Sequence, residues 1–380
     1  MNELFWVVLN GIAYFVLFFV YWKKVKNFNS AVFVLFLWML SAVGAILYEP
    51  VNYMGHVHKI TFLPYLYLFT MNFIMFYPLL RFRDDLIMII KVNKNMVKGI
   101  CIVIGILAIL PFIENLIYAI KHMSSSGIIQ LQEKMNDRYI DAKDSLKFLS
   151  RPAIICYRLL CVIGMNMTTL CCMLFPIIFS VKKNKLILIG LIMANISFML
   201  LGYNLMARFM IIIHIFLFIF VFFFLKNFYS VKIKQLFKKS FIIGGSTLLL
   251  LFIAMTFSRL RNFENTTKNV VSVYAYVGQY MSESMGNFNA NMFASEKYIG
   301  MDAFQSAIIH KLLRQEQEDH RHVNEISMYL GYHSSQFYSA VGDYCRAYGK
   351  GTTVFIVIIS SIVFTILLKR EETISFSRIL

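Results

Sequence analysis

Over 380 residues the chain is 59% hydrophobic and 15% charged, and its formal net charge is +17. Soluble domains hold an apolar share nearer ~45–50%, so an ordinary water-soluble domain is excluded. The apolar residues come in blocks of about twenty, the length a helix rising ~1.5 Å per residue needs to cross a ~30 Å hydrocarbon layer.

The pattern predicts an all-α polytopic membrane protein of nine spans, at residues 5–22, 31–48, 60–80, 99–120, 153–179, 186–206, 209–225, 241–257 and 352–368. Glu3 is the charged side chain ahead of the first span and no small-residue cleavage pattern follows, so that span is expected to be an uncleaved helix. Basic residues mark alternate connections: Lys23, Lys24 and Lys26; Arg81, Arg83, Lys91, Lys94 and Lys98; Lys182, Lys183 and Lys185; Lys226, Lys232, Lys234, Lys238 and Lys239; Lys369, Arg370 and Arg378. The opposite short connections carry Lys59 and Arg208. The positive-inside bias therefore puts the N-terminus outside and the C-terminus in the cytoplasm. It also assigns the excess charge to topology and anionic lipid, with no need of nucleic acid.

The chain then reads as a bundle over residues 1–257 with an outer loop at 121–151, a large outer segment at 258–351, a last span at 352–368 and a cytoplasmic tail at 369–380. The outer loop opens on Ser124-Ser125-Ser126-Gly127 and continues with Ile128, Ile129, Leu131 and Met135 at roughly helical spacing, which suits a helix on the membrane surface. Arg158 and His214 fall inside spans, where a charge is costly, so both are expected to face the protein interior. Arg208 occupies the tight junction between the sixth and seventh spans, and its fork of donors suits either a phosphate or snorkelling to headgroups. Arg259 and Arg261 leave the next outward span at the same level, which favours an anionic ligand there.

The large outer segment holds most of the remaining chemistry. Phe304, Ile308, Ile309, Leu312 and Leu313 form one face of a predicted amphipathic helix over 301–314, with His310, Lys311 and Arg314 on another. Tyr274, Tyr276, Tyr280, Tyr298, Tyr329, Tyr332, Tyr338, Tyr344 and Tyr348 suit either an interfacial belt or stacking on sugar rings. The run Glu316-Gln317-Glu318-Asp319-His320-Arg321-His322 matches no standard zinc spacing, and suits a general base better than a metal ligand set. Five cysteines fall in spans and only Cys345 in an outer segment, which argues against a disulfide framework. Nucleotide-binding loops and a serine nucleophile elbow are missing from the sequence.

Three stretches resemble bacterial O-antigen and capsular repeat-unit polymerases of the Wzy type. They are Ala207-Arg208, Tyr280-Met281-Ser282-Glu283-Ser284-Met285-Gly286-Asn287-Phe288-Asn289, and Phe337-Tyr338-Ser339-Ala340-Val341-Gly342-Asp343-Tyr344 running through Ala347-Tyr348-Gly349. The resemblance implies a metal- and cofactor-independent glycosyltransferase of the inner membrane that joins oligosaccharide repeats carried on undecaprenyl diphosphate at the periplasmic face. In that reading Arg208, Arg259, Arg261 and Arg158 hold the diphosphate, and His310, His320 or Asp343 is the acceptor base. Tyr274, Tyr280, Asn287, Asn289 and Tyr338 hold the glycan. The implied partners are the lipid-linked substrate, membrane lipids and a chain-length regulator protein. Ala347 departs from the aspartate that the family often carries there, and an O-antigen ligase or a polysaccharide flippase or exporter stands as the alternative.

Overall fold

The computed structural model describes residues 3–48, 59–122, 148–205, 208–235, 237, 239, 282, 284–298, 329–330, 339–368 and 373–375. These residues are mostly helical. Among the described residues six helices are long and apolar enough to cross a membrane, seven if the bent pair 151–163 and 165–178 counts as one span, and 30–46 is a shorter apolar helix. The protein is thus a multi-pass membrane protein. The predicted eighth span, at 241–257, lies outside the described residues.

Side-chain partitioning is inverted relative to a soluble protein. Phe355, Ile106 and Leu186 stand exposed on their helices, while Asn72, Asn115, Asn195 and Asn204 are buried. Hydrocarbon accepts the first group at no cost but offers no hydrogen bond to the second, so the amides turn inward.

The chain divides into two compact units, Met1–Arg83 with Val271–Arg370, and Asp84–Val270 with Glu371–Leu380. In the first unit α1 (Glu3–Val25) packs on α2 (Ser30–Tyr48), and α3 (Phe62–Phe82) on the C-terminal span, Lys350–Leu367. Tyr14 lies parallel to Trp38, with ring centroids 5.8 Å apart, and its hydroxyl accepts from Asn72 Nδ2 at 2.9 Å. The Ile60 N–H reaches Glu3 Oε2 at 3.5 Å, so the start of α1 and the approach to α3 share one end of the unit. Tyr21 donates to the Leu80 carbonyl at 2.9 Å at the other end. The starts of α1 and α3 thus lie at one end of the unit, and the last turns of both at the other.

The second unit contains α4 (Lys94–Lys121), α5 (Arg151–Ile163), α6 (Met165–Ile178), α7 (Lys185–Asn204) and α8 (Arg208–Leu225). The α4 and α7 backbones meet at Gly105 and Gly190, where a Cβ on Gly190 would stand 2.8 Å from Gly105 Cα. Small residues permit such approach between spans, where dispersion must supply the attraction. A two-residue polar lock closes the far end of the same pair. Asn204 Nδ2 donates to both Asn115 O and Asn115 Oδ1 at 3.0 Å, and Tyr203 donates to the His122 carbonyl at 3.3 Å.

The predicted span at 153–179 is a bent pair in the structure, α5 and α6 meeting at 78°. Gly164 stands between them at φ +91, a conformation open to glycine and strained for other residues. Its N–H closes α5 on Leu160 O at 2.9 Å, and its carbonyl accepts from both Thr168 N and Thr168 Oγ1. The pair still passes from one end of the unit to the other. Ser150, which caps α5, is held by Glu114 near the His122 end of α4. Met173 in α6 accepts from Tyr229, beyond the opposite end of α8.

A three-residue parallel ladder pairs β1 (Ile89–Lys91) with β2 (Thr373–Ser375), Ile90 facing Ile374. It ties the chain that follows the last span to the connection ahead of α4. Asn227 Nδ2, beyond α8, also donates to Asp85 O at 3.0 Å in that connection.

Candidate functional site

In the first unit, a π-helical turn at Phe288–Met292 and the short helix α9 (Ala340–Tyr348) meet at the Glu3 end, next to the start of α3. The last span, Lys350–Leu367, is α10. Phe288, Val341 and Cys345 share one buried cluster with Tyr65 and Leu68 of α3. Two of the stretches that carry the family resemblance, separated by the chain from 290 to 336, are therefore brought together in space.

Asn289 fastens the π-turn to α3. Its Oδ1 accepts from Thr61 N at 3.0 Å and its Nδ2 donates to Thr61 O at 2.8 Å, so both functions of the amide are spent on one backbone residue. Lys350 secures the other end of the turn, with Nζ donating to Phe293 O at 2.8 Å and lying 5.0 Å from the Phe293 ring centroid. Tyr67 links both elements, donating to the Lys350 carbonyl at 2.8 Å while its hydroxyl lies 3.7 Å from Cys345 Sγ.

α9 presents the chemistry. Ser339 caps it, its Oγ accepting from Gly342 N at 3.1 Å. Asp343 follows in the first turn, where the helix dipole favours a carboxylate. Arg346 stands 3.3 Å from Asp343 Oδ1, and the Asp343 side chain is 40% exposed. Partial burial raises the Asp343 carboxyl above its usual range, and the Arg346 guanidinium pulls back against that rise. A half-exposed carboxylate with a raised pKa is suited to taking a proton from a hydroxyl. Gly349, at φ +79, ends α9 and starts α10, and its missing side chain leaves room for Tyr298, whose Cδ1 would be 3.3 Å from a Cβ there.

Of the predicted glycan contacts, Asn289 is 2% exposed and Asn287 8%, and the Asn289 amide is bonded to the backbone of Thr61. The Asn287 Nδ2 has no hydrogen-bond partner among the described residues. Tyr274, Tyr280, Tyr338, His310, His320, Arg259 and Arg261 lie outside the described residues, as does the predicted amphipathic helix over 301–314.

In the second unit Arg208 is the first residue of α8, following the chain from Asn204, which is bonded to Asn115 at the His122 end. Arg158 is a correction: it is exposed on α5 and does not face the interior. The reason is the break at Gly164, which makes α5 a short two-sided helix that buries Ala153, Tyr157 and Leu160 and leaves the opposite side uncovered. His214 is fully buried, as expected, with Nε2 3.1 Å from Asn195 Oδ1, which also accepts from Thr169 Oγ1 at 2.8 Å. His214 Nδ1 has no partner among the described residues.

Sequence reasoning missed Lys350, Tyr67 and Arg346. Lys350 could have been found from its place two residues before the last predicted span, next to Gly349. Tyr67 carries no such signal, because its role depends on a partner 278 residues away. The six cysteines are free thiols. Among the described residues no three His, Cys, Asp or Glu side chains converge as a metal set would. Against models of protein families, curated proteins and solved structures, the chain matches none.

Proposed function

We propose that this protein is a glycosyltransferase that polymerises oligosaccharide repeats carried on undecaprenyl diphosphate at the periplasmic face of a bacterial inner membrane. The observation that carries the reading is the meeting of residues 284–293 and 339–349 in one buried cluster, with Asp343 half exposed beside it. Residues 284–289 and 339–349 within them belong to the stretches that resemble Wzy-type polymerases. A family motif split along the chain yet joined in the fold has the form of a site.

In this reaction an acceptor hydroxyl attacks the anomeric carbon of the growing chain, and the carbon–oxygen bond to the diphosphate breaks. The hydroxyl proton passes to the Asp343 carboxylate, and undecaprenyl diphosphate leaves with the bonding electron pair. The glycosyl diphosphate is already activated, so the step draws on no nucleotide. Guanidinium groups stabilise the departing charge. Arg208, Arg259 and Arg261 are the candidates, each to be judged by its own substitution. The alternation of basic connections supports a periplasmic N-terminus and cytoplasmic C-terminus.

The test is the length distribution of surface polysaccharide in a deletion strain, complemented with the intact gene. A ladder that collapses to core plus one repeat supports polymerisation. Loss of every repeat from core assigns a ligase or flippase instead, and an unchanged ladder refutes the proposal.

A further inference from the structure

The uncovered side of α5 has an unusual make-up. Ile155 is 59% exposed, Leu159 47% and Val162 66%, and Arg151 and Arg158 are exposed with them. At 3.6 residues per turn these five positions fall within about 100° of arc, and the two arginines are roughly 10 Å apart along the axis. Ala153, Tyr157 and Leu160 occupy the opposite, buried side.

Among the described residues neither arginine is neutralised. Arg151 and Arg158 have no carboxylate partner there. Glu114, a described acid at the start of α5, is committed elsewhere: it accepts from Ser150 N through Oε2 at 2.7 Å and from Ser150 Oγ through Oε1 at 2.6 Å. Two guanidiniums on a helix of a membrane bundle, with branched aliphatic residues between them, call for a partner that is anionic at one end and hydrocarbon at the other.

We propose that this side of α5 is a docking site for an anionic phospholipid of the bilayer, its phosphate taken by Arg151 and Arg158 and an acyl chain lying on Ile155, Leu159 and Val162. The planar forks match phosphate oxygens, and the aliphatic surface meets the chain where it would otherwise meet bulk lipid. The site serves to hold the bent α5–α6 crossing at a fixed depth. It does not depend on the polymerisation reading.

The experiment is native mass spectrometry of the full chain, purified in mild detergent and titrated with phosphatidylglycerol or with phosphatidylcholine of the same acyl chains. The wild-type protein is expected to retain phosphatidylglycerol about tenfold more tightly than phosphatidylcholine. Arg151→Gln with Arg158→Gln removes that preference, Arg151→Lys with Arg158→Lys keeps most of it, and Lys121→Gln leaves it unchanged. Leu159→Asn with Val162→Asn weakens both lipids alike. All these side chains are exposed, and a single symmetric size-exclusion peak checks that each variant is folded. Full preference in the double glutamine variant overturns the proposal, as does equal retention of both lipids by the wild type. A wild-type dimer that disappears in the double glutamine variant gives the face to a second copy and also overturns it.

Discussion

Adding one methyl group at Gly190 should be far more costly than adding one at Gly105, although the two glycines touch. A Cβ on Gly190 would be 2.8 Å from Gly105 Cα, 3.4 Å from its carbonyl carbon and 3.5 Å from its oxygen, all backbone atoms that cannot rotate away. A Cβ on Gly105 would be 3.4 Å from Gly190 Cα and 3.7 Å from its carbonyl carbon, close to ordinary contact. Forcing a methyl into a packed contact costs roughly 1–3 kcal/mol, against a gain of about 1 kcal/mol for alanine over glycine in a helix. Gly190→Ala is therefore expected to destabilise by up to ~2 kcal/mol, and Gly105→Ala to be neutral or to stabilise by up to ~1 kcal/mol. Thermal unfolding of the two purified variants in one detergent, followed by loss of monodisperse protein, measures the difference. If Gly105→Ala lowers the midpoint as much as Gly190→Ala, the helices do not cross as described.

Asn289→Ala removes both bonds to Thr61 and leaves that backbone pair unmet, so stability is expected to fall by about 2–4 kcal/mol, with membrane yield and polymer length falling together. Asp343→Asn is expected to abolish polymerisation while the midpoint of unfolding holds. The Asp343 carboxyl is raised, so the folded state binds its proton more tightly than the unfolded chain does. Its contribution to stability is therefore present at low pH and lost as pH rises through the raised value. Activity runs the other way, because the base works only when deprotonated. In polymerisation assays across pH, Arg346→Ala is expected to move the acid limb upward, since the cation that lowers the pKa is gone. Gly164→Ala places a side chain at φ +91 and ψ 146, outside the left-handed helical region, and is expected to destabilise by roughly 1–3 kcal/mol, with Asn no better tolerated than Ala in the same unfolding assay.

Hydrophobic blocks long enough to span a bilayer are a local property, so they were legible from residue order alone. The described helices Glu3–Val25, Phe62–Phe82, Lys94–Lys121, Lys185–Asn204 and Lys350–Leu367 start and stop within a few residues of the predicted spans. The burial of His214 was legible for the same reason, since an imidazole inside a span has no favourable place in lipid. The role of Asn289 was not, because an asparagine in a polar stretch reads the same whether its amide meets a sugar or the backbone of Thr61. Arg158 misled for a related reason: its burial was argued from its place inside a span, and on the short helix that ends at Gly164 it falls on the exposed side. Residue types and their order therefore determined that the chain enters a membrane and roughly where its apolar helices start and stop. Tertiary structure alone decided that residues 284–293 lie against 339–349, that two glycines let α4 and α7 touch, and which side of α5 stays bare. Contacts between distant residues depend on backbone geometry summed over hundreds of positions, and that sum is not written in any local pattern.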